Sequence, residues 1–372
     1  MIRAATKFLW LLPRRLGAIA RIVNDPVLSR TYYPQVERKS KTGIWLDNLW
    51  WLLRNQEVNL YYFLYGMDRK HGPDPREYLA AKEFQKYQEQ TRAAAAVDGQ
   101  RIDYHCLIHD KFLFCQYVTS LGFPTPPVLA LGDKTSLWWV GGAGRQPVES
   151  LLDRELDGFY KELVGEGGRG VMSFSVAGGR LYVNDREQSM TDFLAGIRGH
   201  YIIQRRMRQH PRMAELYPHS VNTIRLVTMR TDGDPKPFCA ILRMGTQGRR
   251  ADNWSIGGVC SPVDLDTGIV GKYGVFHPAY GTRTDRHPDT GMAFEGFGIP
   301  FFAESLAMTL KLHSLFYGMH SIGWDIGIGQ DGPQFLEAND KWAIDLLQGA
   351  HGGLKRRYLE LLPGAGRGGR RL

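Results

Sequence analysis

Residues 322–339 read IGWDIGIGQDGPQFLEAN, and two short strands joined by a tight turn explain this stretch best. Apolar side chains alternate along the first strand, so Asp325 faces away from them. The same period of two places Glu337 and Asn339 on one face of the second strand. If the turn is centred on Asp331, Asp325 lies opposite Glu337 and the three oxygen-bearing side chains converge.

Carboxylate and amide oxygens are the ligands that Mg²⁺ prefers in proteins. Two carboxylates that face each other repel, and a bound cation removes that repulsion. The hairpin therefore predicts a magnesium site formed by Asp325, Glu337 and Asn339. The alternative interpretation is a surface hairpin whose acidic residues have no common role.

A second pattern, FYKELVGEGGRGV, occupies residues 159–171. Lys161 supplies a positive charge on a predicted strand, and the following glycines, Gly167, Gly168 and Gly170, offer backbone amides without side-chain obstruction. That combination suits a polyphosphate. The loop is not a Walker A motif, since no Lys-Ser or Lys-Thr follows the glycines. A glycine-rich hairpin without a ligand is the alternative.

Two arginines lie on predicted apolar strand faces, Arg225 beside Val227 and Arg243 beside Ile241. An arginine in such a place needs an anionic partner. Either arginine could stabilise a transferred phosphoryl group, whose charge is spread over its oxygens. A buried ion pair is the alternative for each.

The 372 residues carry a formal charge of +9, with 43% hydrophobic and 23% charged residues, which is typical of a folded protein rather than a disordered one. RNA-binding consensus motifs and zinc-finger spacing are absent, so we expect no nucleic-acid partner. The four cysteines show no CxxC spacing, which argues against a zinc site or a disulfide framework. A cytoplasmic location follows as the expectation.

The chain divides by pattern into a helical, aromatic-rich region at 1–100, a part with the glycine-rich loop at 101–206, a part with the metal residues at 207–362, and a disordered Gly/Arg tail at 363–372. We predict helices over residues 74–91, 111–121 and 302–319.

The apolar run near the amino terminus is too short for a secretory signal or a membrane-spanning helix, and Pro13 ends it. Residues 1–23 combine basic and apolar side chains, as do helices that lie on anionic membranes. Two interpretations stay open: attachment to the inner membrane surface, or a helix packed on the protein's own body.

Seven segments together resemble the ATP-grasp superfamily, and most closely its sugar-transfer-associated branch, which is related to α-L-glutamate ligases. They occur within residues 109–347 as HDKFLFCQYVTSLGFPTPPVL, KELVGEGGRGV, YIIQ, SVNTIRLVT, DNWSIGGV, GWDIGIG and FLEAND. The resemblance implies an α+β ATP-grasp fold, in which two α+β lobes enclose ATP, behind the helical amino-terminal region. Gly323 departs from the family, because many related ligases have an arginine there.

The resemblance also implies roles for individual residues. Lys111 and Lys161 would contact the ATP phosphates, with the glycine-rich loop folding over them. Gln204 and the backbone of Arg205 and Met207 would form the hinge that reads adenine. The three metal ligands predicted above would hold Mg²⁺, and Arg225 would face the γ-phosphate. Arg225 or Arg243 would have to substitute for the family arginine that is missing at Gly323.

The reaction implied is an ATP-dependent carboxylate–amine ligation through an acyl phosphate, with small-molecule carboxylate and amine substrates. Sugar-linked or amino-acid substrates are the expectation. Two rivals remain open at this point: a kinase that phosphorylates a hydroxyl with the same ATP machinery, and a non-catalytic scaffold for polysaccharide assembly at a membrane surface.

Overall fold

The protein is described from a computed structural model that covers residues 2–94, 104–142, 144–165, 170–231 and 233–363. Gly167, Gly168 and the tail after residue 363 lie outside this described part, so the predictions for them are not addressed by the structure.

Ten α-helices fall within the described ranges. They are α1 (Ile2–Asn24), α2 (Lys41–Asn55), α3 (Ala81–Ala94), α4 (Cys106–His109), α5 (Lys111–Ser120), α6 (Met190–Gly196), α7 (Pro211–Leu216), α8 (Phe302–Ser314), α9 (Ile344–His351) and α10 (Lys355–Glu360).

The described strands form two sheets in which all pairings are antiparallel. The first sheet, in the order β3-β2-β1-β8-β4-β5-β6-β7, consists of β1 (Val128–Gly132), β2 (Ser136–Trp139), β3 (Arg145–Pro147), β4 (Leu156–Glu162), β5 (Val171–Ala177), β6 (Arg180–Val183), β7 (Arg186–Gln188) and β8 (Tyr201–Arg205).

The second sheet has the order β13-β12-β11-β10-β9-β14-β15. Its strands are β9 (Thr223–Arg230), β10 (Pro235–Met244), β11 (Val259–Val263), β12 (Gly274–Phe276), β13 (Arg283–Thr284), β14 (Ser321–Gly329) and β15 (Gly332–Asn339). In the β14–β15 hairpin Asp325 pairs with Glu337, which confirms the predicted register.

The two faces of the second sheet are covered by different parts of the chain. Alternate residues such as Leu226 and Trp324 pack in a core with α8. The other face carries Val227 and Ile241, which pack in one core with α1, α2, α3 and the carboxyl-terminal helices. Arg225 lies two residues before Val227 in β9, so the amino-terminal region borders the polar part of this face.

Two predicted helices have different limits in the structure. Residues 75–77 form a short 3₁₀ turn capped by Asp74, and α3 begins separately at Ala81. The chain is extended at Tyr78, which ends the turn. Helix α8 ends at Ser314 instead of reaching Met319, and the chain then turns through Leu315 and Gly318, the latter with φ of 72°. The predicted helix at 111–121 corresponds to α5.

Of the four cysteines, Cys106 is exposed, and Cys115, Cys239 and Cys260 are buried as free thiols. No helix in the described ranges combines the length and the apolar character needed to cross a membrane.

Candidate functional site

The polar centre of the second sheet is built on three neighbouring strands. Arg225 of β9 pairs in register with Asp325 of β14, and Arg243 of β10 lies one strand further away. Because side chains alternate along a strand, these three side chains share the face that also carries Val227. The face is apolar around them, so the charges have to be neutralised within the cluster.

Asp325 is held by both arginines. Arg225 donates from Nε and Nη2 to the two carboxylate oxygens, the latter bond measuring 2.9 Å. Arg243 Nη1 donates to both oxygens at 3.2 Å. These contacts occupy the roughly four lone-pair positions that a carboxylate offers. A metal ion can bind Asp325 only if one arginine contact is exchanged for it.

Arg243 has a second anionic partner, which the sequence analysis did not assign. Its Nη2 donates to Asp252 Oδ1 at 2.7 Å, and the hydroxyl of Thr223 donates to the other oxygen of Asp252. Asp252 is buried. Asp252 begins the DNWSIGGV segment, nine residues after Arg243. An acidic residue close in sequence to a buried arginine is a candidate for its counter-ion, so the pairing could have been proposed from the sequence.

The pKa values of the two paired carboxyl groups move in opposite directions. Burial alone would raise the pKa of Asp325, but Arg225 and then Arg243 outweigh it and hold that pKa below its usual range. Burial, and next the neighbouring charge of Asp325, raises the pKa of Glu337. Lys111 and Lys161 act against this rise without cancelling it.

Glu337 and Asn339 lack partners of their own. Glu337 makes no hydrogen bond or ion pair with another residue in the described part of the chain. The Nδ2 atom of Asn339 is buried and equally unpaired there. A carboxylate in this state costs free energy, and a cation beside it would recover that cost. The Glu337 carboxylate therefore fits a magnesium ligand set, in which Asn339 would bind through its amide oxygen and Asp325 after an exchange of partners.

Lys161 projects from β4 of the first sheet toward this hairpin. Its Nζ donates to Oε1 of Gln204 at 2.6 Å, and no carboxylate pairs with it in the described residues. Gln204 is buried and donates in turn to the carbonyl oxygen of Pro126 at 2.8 Å and to Sγ of Cys115 at 3.3 Å. Burial lowers the pKa of Lys161. A half-buried ammonium group with only a neutral partner fits an incoming anion.

Lys111 is placed by the start of α5. Asp110 caps that helix by accepting from the amides of Phe112 and Leu113. The buried Lys111 donates from Nζ to the carbonyl oxygen of Gly165 at 3.0 Å, at the start of the glycine-rich loop. Lys111 and Lys161 thus lie close enough to influence each other, beside Gly165 at the start of the loop; phosphate binding by this pair stays a prediction.

Of the three predicted loop glycines, only Gly170 is described. It has a φ of +71°, and a Cβ atom there would lie 2.6 Å from the carboxyl carbon of Glu162. The positive φ therefore favours glycine, whereas the flexible Glu162 side chain could move away from a Cβ atom. Its carbonyl oxygen accepts from the amide of Glu162 and closes the base of the loop.

The predicted hinge connects the two sheets. The amide of Arg205 donates to the carbonyl oxygen of Pro127 at 2.8 Å, while its side chain is exposed. Met207 is buried against β14, where its Sδ would lie 2.6 Å from a Cβ on Gly327. A cavity of about 720 Å³ next to the hinge is lined by Arg205, Arg206, Arg208 and parts of β1 and β4. Adenine recognition by this segment stays a prediction.

Comparisons with known proteins place the chain in a family. Residues 100–360 match the profile of the family described as sugar-transfer associated ATP-grasp. No curated protein sequence matches the chain.

Several solved structures resemble the fold at low identity. D-alanyl-alanine synthetase A from Vibrio cholerae has a TM-score of 0.39 and 10% identity, over 69% of this chain and 64% of that one. D-Alanine–D-alanine ligase from Helicobacter pylori has a TM-score of 0.38 and 12% identity, over 69% and 62%. N5-carboxyaminoimidazole ribonucleotide synthetase from Thermotoga maritima has a TM-score of 0.35 and 9% identity, over 63% and 42%.

The protein thus spans 42% to 64% of the length of these structures, and none of them decides its activity. The family profile matches 261 of the 372 residues and includes every residue of the site described above. The chain belongs to the sugar-transfer associated ATP-grasp family.

Proposed function

We propose that this protein is an ATP-dependent ligase that joins a carboxylate to an amine through an acyl phosphate. One observation supports the proposal most directly. Lys111 and Lys161 have no carboxylate partner in the described residues, and they face Glu337, which has no cationic partner within bonding distance there. A polyphosphate would neutralise the two lysines, and its metal ion would neutralise Glu337.

The two sheets would bind different parts of the nucleotide complex. Lys111 and Lys161 would hold phosphate oxygens from the first sheet. Glu337 and Asn339, with Asp325, would hold Mg²⁺ from the second sheet. Bound Mg²⁺ would withdraw charge from the phosphate oxygens and so make the terminal phosphorus easier to attack.

The proposed reaction has two steps. A carboxylate oxygen of the first substrate attacks the γ-phosphorus, the bond to the β-phosphate oxygen breaks, and ADP leaves. The nitrogen of an amine then attacks the acyl carbon, inorganic phosphate leaves, and the nitrogen loses a proton to form the amide.

Arg225 and Arg243 would contribute by position. Their guanidinium groups are fixed by Asp325 and Asp252, on the sheet face that borders the predicted metal ligands. Groups that are already oriented need no reorganisation when negative charge develops on the transferred phosphoryl group. This arrangement supports phosphoryl transfer and does not by itself identify the acceptor.

Hydroxylamine trapping tests the chemistry. The purified protein is incubated with MgATP, hydroxylamine and a panel of amino acids, amino sugars and carboxylated sugars. We expect a hydroxamate with at least one carboxylate, together with ADP release. ADP release with a phosphorylated hydroxyl and no hydroxamate would establish the kinase alternative. Failure to bind ATP in a calorimetric titration would refute both enzyme assignments.

The Lys161→Met variant tests the nucleotide site itself. Loss of one charged group that stabilises phosphoryl transfer should lower turnover by about 10²–10³-fold. Lys134→Met is the matched control, since Lys134 is exposed in the β1–β2 turn of the same sheet. A folded Lys161→Met protein with full ATP turnover would remove Lys161 from the mechanism.

A further inference from the structure

Helix α2 is apolar on both sides. One side buries Ile44, Trp51 and Leu52 in the core that covers the second sheet. The other side presents Leu46 and Leu53, which are 60% and 61% exposed. A helix that is apolar all round is normally buried on all sides, but none of the described residues covers the outer side of α2.

The exposed side chains form one stripe. Leu46, Trp50 and Leu53 follow at intervals of four and three residues, the spacing of one helix face. Trp50 is 41% exposed, and the guanidinium of Arg54 lies 5.3 Å from its ring centroid. We call these three residues the α2 stripe.

Other exposed apolar groups occur in the same region. Trp10 of α1 is 79% exposed and Leu60, just after α2, is 63% exposed. Helices α1 and α2 pack against each other. The amino-terminal region therefore exposes several large apolar side chains, including two tryptophans.

The charge of the region is strongly asymmetric. Its first 60 residues contain ten lysines and arginines against four aspartates and glutamates, a net charge of +6 out of +9 for the whole chain. All four acidic side chains are engaged internally. Asp47 binds Lys39 at 2.6 Å and Glu37 binds Lys70 at 2.9 Å. Asp25 and Glu57 accept from backbone amides. With a net charge of +6, the region carries a positive field.

We propose that the α2 stripe and its basic surroundings form a docking surface for an anionic lipid bilayer. Apolar side chains would enter the boundary between headgroups and acyl chains, with tryptophan rings at the headgroup level. Lysine and arginine side chains would meet the lipid phosphates. A second copy of the chain is a poorer occupant, because a two-fold contact would bring two surfaces of the same positive charge together.

Vesicle flotation tests this surface with the full chain. Vesicles of phosphatidylglycerol and phosphatidylcholine in equal parts are compared with pure phosphatidylcholine. We expect the protein to float with the anionic vesicles and to dissociate as salt is raised. Floating equally with both vesicles, or with neither, would overturn the proposal.

A triple variant, Leu46→Ser, Trp50→Ser and Leu53→Ser, isolates the stripe. Its three positions are solvent-exposed, so circular dichroism should show an unchanged fold. We expect the lipid partition coefficient to fall about tenfold or more. Trp138→Ser is the matched control: Trp138 is 39% exposed, and the Arg145 guanidinium lies 5.1 Å from its ring. Equal binding by the triple variant would exclude the stripe. A wild-type dimer that the triple variant abolishes would assign the stripe to self-association instead.

Discussion

Asp325 and Glu337 are partners across two strands, but their surroundings give them opposite properties. Two arginines surround Asp325 and keep its carboxyl group ionised. Glu337 has partial burial and a neighbouring negative charge, and both favour its protonated form. One carboxylate thus stabilises the protein through ion pairs, and the other is partly buried without a counter-ion within bonding distance in the described residues.

Replacing Asp325 should therefore lower the stability of the protein even in the absence of a ligand. The pKa of Asp325 is depressed in the folded protein, so its stabilising contribution is present at neutral pH and is lost as pH falls through that folded pKa. We expect Asp325→Asn to lower the free energy of unfolding by about 3–5 kcal/mol at neutral pH, since buried arginine charge loses its partner. Urea denaturation measures the change. Asp331→Asn in the exposed turn is the control, and equal effects would contradict the ion-pair role.

Replacing Glu337 should have the opposite effect on the metal-free protein. Its raised pKa means that the folded state binds the proton more tightly, so stability is lost as pH rises through the folded pKa. Glu337→Gln should raise the free energy of unfolding by about 1 kcal/mol at neutral pH and weaken Mg²⁺-dependent ATP binding. The stability gain should vanish at acidic pH. Lower stability than wild type, with Glu149→Gln unchanged as the exposed control, would argue against an unpaired carboxylate.

The sequence alone predicted the register of the hairpin, but it did not predict which groups surround each carboxyl group. Alternation of apolar residues is local, so it placed Asp325 opposite Glu337. The arginine contacts depend on β9 and β10 lying beside β14, and Arg225 is 100 residues away from Asp325 along the chain. The buried ion pair, left open as an alternative for both arginines, is present in the structure.

At the scale of secondary structure, Gly158 controls how closely β4 and β8 approach. A Cβ atom at Gly158 would lie 2.2 Å from the carbonyl oxygen of Gln204, which is backbone and cannot move aside alone. The side chain of Gln204 accepts a hydrogen bond from Lys161. A change in the distance between β4 and β8 would therefore also move Lys161, which belongs to the predicted phosphate site.

We expect Gly158→Ala to cost about 1–3 kcal/mol of stability because the strands must separate. The same shift should weaken ATP binding by moving Gln204 and Lys161. Urea denaturation and calorimetric titration with ATP measure the two effects. Gly196→Ala provides the control, as no atom lies within 4 Å of its added Cβ. An unchanged ATP affinity in a destabilised Gly158→Ala protein would separate the strand contact from the nucleotide site.

Longer strands with regular alternation were predictable, and the hairpin strands β14 and β15 were found where the sequence indicated them. Short strands such as β13, with two residues, contain too little sequence for a period to be visible. The helix predicted to reach Met319 shows the converse error. Phe316 and Met319 are buried in the core beyond the end of α8, so the apolar spacing continues where the helix does not.

At the scale of the whole molecule, the amino-terminal region shares a core with the face of the second sheet that carries Arg225 and Asp325. Phe84 of α3 packs with Trp342 and Tyr358 at ring-centroid distances of 4.7 and 5.4 Å. Trp342 in turn covers Gly323 of β14, where a Cβ atom would lie 2.8 Å from it. Helix α3 therefore supports, through Trp342, the strand that carries Asp325.

Phe84→Ala should accordingly destabilise the second sheet, by about 3–5 kcal/mol for a buried phenylalanine. Urea unfolding followed by circular dichroism measures the change. Lys86→Ala on the exposed side of α3 is expected to be nearly neutral. If both variants unfold alike, packing of the amino-terminal region does not stabilise the second sheet. The sequence could not foresee this packing, because it identified helices without indicating which sheet face they cover.

The uneven exposure of the four thiols has a practical consequence. Cys106 faces solvent, whereas burial raises the pKa of Cys115, Cys239 and Cys260 and keeps them unreactive. A maleimide dye would therefore attach at one position on the natural protein, five residues before Lys111. That single fluorophore would report changes around the start of α5, which carries Lys111, without any engineered cysteine.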